Sequence, residues 1–137
     1  MSRICTSLEQ SERLMELGLD TNTADMFYAE VLGSDGSADA PCHVVSTWGY
    51  DKFGDMKEYE NRFVRFIPAW SLSVLMGLMP TTIQVNDIDF CLGSEISQEG
   101  YSFGYNCDQG KLVFFTRDHP IDAAFKMIEW LLRHSKI

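Results

Sequence analysis

An α+β fold is what this sequence predicts: one domain, residues 1–137, with an antiparallel sheet of four to six strands packed against three helices. Helical segments stand at the start, middle and end of the chain and do not alternate with strands. The strand candidates between them follow one another through short turns, and strands joined that way pair antiparallel. An apolar content of 45% over 137 residues is enough for one core, burying roughly two-thirds of the unfolded surface. Such a sheet turns one apolar face towards the helices.

The first helix is marked at both ends. Ser7 is placed to cap it, with Gln10 three residues later completing a capping box. Leu8, Leu14, Met15 and Leu17 give an apolar side and Glu9, Glu12, Arg13 and Glu16 a polar one. Gly18 suits the left-handed cap, with Leu19 folding back over the last turn. Asp20 to Thr23 is a turn, and Met26 to Leu32 reads as a strand. Gly33 to Pro41 is a loop by composition. Cys42 to Trp48 is β-prone and suits a hairpin return. Residues 49–61 read as an exposed loop or hairpin tip, and Asn61 to Ile67 as a strand.

Pro68 to Pro80 is the second helix, with Ser71 as its N-cap and Pro80 closing it. It carries no charge, so it is expected to be buried or covered. Strands follow at Thr82 to Leu92, Tyr101 to Asn106 and Lys111 to Thr116, the last two joined by a tight turn at Asp108-Gln109-Gly110. Gly100 and Gly104, around Tyr101-Ser102-Phe103, suggest a bulge. The last helix is expected to be capped by Asp118, with Pro120 in its first turn. At about 100° per residue, Asp122, Lys126, Glu129 and Arg133 share an arc of about 60°. The rest carries Ile121, Phe125, Met127, Ile128, Trp130 and Leu131, so this helix is packed deeply or shared with a second chain.

The net charge is −9 and uneven: residues 1–60 hold 12 acids and 4 bases, residues 61–137 hold 8 and 7. An acidic surface disfavours direct binding to phosphate backbones and suits a basic partner or plain solubility. Cys5, Cys42, Cys91 and Cys107 form no CxxC pair, which fits free thiols in a reducing cytoplasm. The N-terminal stretch has no apolar signal segment, and Phe66 to Asn86 is too interrupted by Pro68, Gly77 and Pro80 for a membrane span. A cytoplasmic protein is expected.

Candidate chemistry is sparse. Cys42-His43 is an adjacent thiol–imidazole pair, but neighbouring strand residues face opposite sides, so the two side chains do not meet. Asp118, His119 and Asp122 gather at a helix start, where capping is the simpler role. Asp87, Asp89, Glu95 and Glu99 lack the glycine and glutamate of a calcium loop. No phosphate-loop, nucleophile-elbow or zinc-helix motif is present. Tyr101, Phe103 and Tyr105 share one strand face and read as packing residues. No catalytic residue, metal site or cofactor is therefore expected.

Three segments carry a resemblance: Ser7 to Asp20 leading into Thr23 to Tyr28, Pro68 to Pro80, and Pro120 to Leu132. Together they resemble a group of small proteins of unknown activity found in prophages and conjugative elements of anaerobic gut bacteria. The resemblance covers about half the chain, carries over no functional residue, and implies an accessory protein of a mobile element.

The expected function is a non-enzymatic protein-interaction module, with a protein partner or a second copy of itself and with neither direct nucleic acid nor membrane. Trp70 and Met76 on the second helix and Met127 and Trp130 on the third are its candidate contact residues. One alternative is an acidic mimic of nucleic acid that blocks a host DNA-binding protein through Asp51, Asp55, Glu58 and Glu60. Another is a small-molecule binder or small hydrolase, which would need His43 or His119 beside a buried carboxylate.

Overall fold

Two antiparallel sheets and three helices make up the fold in a computed structural model. The structure describes residues 4–31, 42–47 and 63–137, with side chains over 4–28 and 67–137. The helices are α1 (Leu8–Glu16), α2 (Leu72–Leu78) and α3 (Pro120–Arg133). The strands are β1 (Met26–Val31), β2 (Cys42–Thr47), β3 (Phe63–Ala69), β4 (Thr82–Val85), β5 (Ile88–Ser97), β6 (Gly100–Cys107) and β7 (Gly110–Arg117). The expected α+β class is what the structure shows, but the strands divide into two sheets, ordered β2-β1-β3 and β4-β5-β6-β7.

Local signals set several boundaries as expected. Ser7 Oγ accepts from the Gln10 amide at 3.1 Å, and Gln10 Oε1 accepts from the Ser7 amide at 3.0 Å, so the capping box closes in both directions. Gly18 is left-handed, with φ +91, and the buried Leu19 donates back to the Leu14 carbonyl. β1 and β2 pair as the expected hairpin partners.

Elsewhere the structure corrects the expectation. Thr82 to Leu92 is not one strand. Asn86 and Asp87, both with positive φ, turn the chain between β4 and β5; Asn and Asp tolerate that region better than other side chains, which makes the turn possible. Pro68 belongs to β3, and α2 begins only after its cap, Ser71. α2 is also not buried as a whole: Leu75 is fully enclosed while Met76 is 43% exposed, because Ser73 and Gly77 occupy solvent positions without needing charge. The cap of α3 is His119, whose Nδ1 accepts from the Ile121 amide at 3.2 Å, and not Asp118.

The main core lies between α2, α3 and one face of the four-stranded sheet. Trp70, Leu75, Phe90, Phe103, Tyr105 and Ile128 meet there, with Val113 and Phe115 at its margin. The broad apolar arc of α3 is explained by this burial: Ile121, Met127, Ile128 and Leu131 are all at or near zero exposure. α1 is fastened alongside by Gln10 Nε2 on Asp122 at 2.7 Å and Arg13 Nε on Glu129 at 3.1 Å. A polar clasp ties the N-terminal segment to the junction after β3. Thr6 and Trp70 exchange bonds, Thr6 Oγ1 lies 2.7 Å from Ser11 Oγ, and Tyr28 donates to the Thr6 carbonyl. Thr6 and Ser11 are fully buried, so these bonds satisfy groups that would otherwise be costly to bury.

Candidate functional site

The four-stranded sheet has two outer strands, and they end the sheet in different ways. β4 is short, and Lys136 reaches across to donate to its Gln84 carbonyl at 2.8 Å. β7 runs eight residues, Gly-Lys-Leu-Val-Phe-Phe-Thr-Arg, and pairs on one side with β6. Among the described residues no strand lies on its other side. The backbone groups on that side of an antiparallel edge are available to a further strand.

α3 forms a wall beside this edge. A cleft of about 310 Å³ opens between Phe115 and Arg117 of β7 and Trp130, Arg133 and His134 of α3. The Trp130 and His134 rings stack with centroids 4.3 Å apart, and His134 Nδ1 lies 2.8 Å from the Trp130 carbonyl, so the ledge is held in place from below. Trp130 is half-buried: its inner part packs on the core and its rim faces the cleft.

Charge at this edge departs from that of the chain. Lys126 and Glu129 also line the cleft and pair with each other at 3.4 Å. Burial pushes the Glu129 carboxyl up, but the hydrogen bond from Arg13 and the charge of Lys126 outweigh it and hold the group below its ordinary value. Arg117 donates to the carbonyl of its neighbour Thr116, and Lys111 lies 4.6 Å from the centroid of the Phe114 ring. Among the described residues Lys111, Arg117 and Arg133 have no carboxylate partner. With the paired Lys126 and Glu129, Arg117 and Arg133 give the cleft lining more cations than carboxylates, on a chain whose net charge is −9; Lys111 stands on the opposite sheet face, in a hollow shared with Glu95 and Glu99.

β7 is seated on β6 by a close fit. Gly93, Gly104 and Phe114 stand in one cross-strand row, on the sheet face turned away from the helices. A Cβ on Gly104 would come within 2.2 Å of the Val113 carbonyl oxygen and 2.4 Å of the Phe114 ring. Gly104 is therefore needed for close approach; the irregularity in this pairing falls at Tyr105/Asn106 instead, which corrects the bulge expected around Gly100 and Gly104. Gly100, with φ +127, opens β6 directly after the β5–β6 turn.

The residues singled out from sequence are scattered. Trp70 is fully buried, with its indole N–H donating to Thr23 Oγ1 at 2.9 Å, and Met127 is fully buried in the main core. Neither reaches a surface: Trp70 stands at the β3–α2 junction and Met127 on the inner face of α3, and both are covered inside the chain. Met76 and Trp130 remain accessible on different helices. Asp51, Asp55, Glu58 and Glu60 lie outside the described residues, as do the side chains of Cys42 and His43. The backbone of Cys42 and His43 is in β2. His119 is a cap, and Asp122 accepts from Gln10. Among the described residues no three potential ligands gather for a metal ion, and no helix is long and apolar enough to cross a membrane. The β7 edge was missed because an edge is defined by which strands pair, a long-range property. The signal available in sequence was the apolar run Leu112 to Phe115 between two bases, Lys111 and Arg117.

No family model matches this chain, and no curated protein or solved structure does.

Proposed function

We propose that this protein is a non-enzymatic interaction module of the cytoplasm, an accessory protein of a mobile element, that docks a partner protein along β7 and the Trp130 ledge of α3. The observation that carries this reading is the eight-residue β7 edge, open among the described residues and bordered by an aromatic cleft. An added strand would gain main-chain hydrogen bonds along β7, and the cleft would take one of its side chains, which is how strand addition combines affinity with selectivity. The thiols of Cys91 and Cys107, in no disulfide among the described residues, support the compartment.

The test compares capture from native-host lysate by the wild-type chain, Trp130→Ala and Met76→Ala, each first checked for folding by circular dichroism. A partner held by wild type and Met76→Ala but lost by Trp130→Ala supports docking at the β7 edge. Loss with Met76→Ala instead would move the surface to α2. Equal recovery by all three chains would remove the aromatic ledge from the account.

A further inference from the structure

We infer that the β7 edge takes an acidic, extended segment of a partner protein, with carboxylates alternating around one large apolar side chain. The inference rests on the docking reading above and gives the occupant its chemistry. Its basis is charge complementarity. Arg117 at the end of β7 and Arg133 of α3 both border the cleft, and neither has a carboxylate partner among the described residues. Between them lie Phe115 and the Trp130–His134 stack, which suit an apolar side chain. A strand laid along β7 would set every second side chain on the α3 side. An apolar residue at the Phe115–Trp130 cleft then has neighbours two positions away that lie near Arg117 and Arg133, and carboxylates there make charge-assisted contacts.

The experiment uses the full chain and short labelled peptides of three kinds, read by fluorescence anisotropy. One alternates glutamate with valine around a central phenylalanine; the second has lysine for glutamate; the third is the glutamate peptide N-methylated at alternate residues, made in both phases. The expected result is binding of the glutamate peptide, weakened by added salt and by roughly tenfold or more in the double variant Arg117→Glu, Arg133→Glu. One N-methylated phase should lose binding, since it lacks the donors that face β7. Both arginines are exposed, so the double variant should keep the wild-type circular dichroism spectrum. Four results would each overturn the inference: no binding of the glutamate peptide, binding indifferent to the charge reversal, equal binding of both N-methylated phases, or a wild-type dimer that excludes the peptide. Retention of the lysine peptide alone, lost in Trp130→Ala, would overturn the acidic partner while leaving β7 as the docking edge.

Discussion

β4 and β7 bound the same sheet, yet β4 spans four residues and β7 eight. The shorter edge is also covered at one carbonyl by Lys136. Short edge strands and lysines are recurrent ways of preventing unwanted strand pairing. β7 has a base at each end but an apolar middle, and it is backed by α3 and a cleft. The contrast teaches that one sheet can close one boundary and leave the other fit for a partner, and that the difference lies in length, local charge and the element standing behind each strand.

β7 can take a partner where β4 does not only as a rigid platform, and the largest effects should come from what holds it. Met127→Ala empties a fully buried position in the helix that backs β7 and should cost about 3 kcal/mol in urea unfolding. Gly104→Ala drives a methyl into the Val113 carbonyl and the Phe114 ring, and should cost about 2 kcal/mol and speed amide exchange along β7. If Gly104→Ala were neutral, the seating of β7 on β6 would be looser than described.

A smaller effect is expected inside the sheet. Tyr105 is fully buried and donates to the Pro80 carbonyl at 2.7 Å, and burial pushes its phenol up to about 12 from an ordinary value near 10. Because the folded-state value is raised, the associated stability is fully present below pH 10 and is lost as pH rises towards about 12. Tyr105→Phe should cost about 1 kcal/mol at neutral pH and should abolish that alkaline component, as read by denaturant midpoints across pH. The smallest effect belongs to the β4 edge. Lys136→Ala removes one exposed hydrogen bond and should change stability by less than about 0.5 kcal/mol, while exchange at β4 and its neighbours rises slightly.

Some of this was legible in sequence because its causes are local. The Ser7–Gln10 box, the Gly18 cap and the Asp108-Gln109-Gly110 turn each depend on a few adjacent residues. Asn86-Asp87 was also local, but it carries no glycine, so two strands read as one. The division into two sheets was not legible, because pairing of β1 with β3 joins residues far apart in the chain. The role of Trp70 and Met127 was ambiguous for a related reason: an apolar helix face says that something covers it, not whether the cover is the chain's own sheet. The candidate edge was the least legible feature, since Arg117 and Arg133 come to border one cleft only when α3 folds back along β7.

The most direct test of the central claim is hydrogen exchange of the full chain, alone and saturated with the glutamate peptide, resolved to single strands by mass spectrometry. The account predicts new protection over Gly110–Arg117 and none over Thr82–Val85. Protection over Thr82–Val85, or none over Gly110–Arg117 when the peptide is bound, would contradict it.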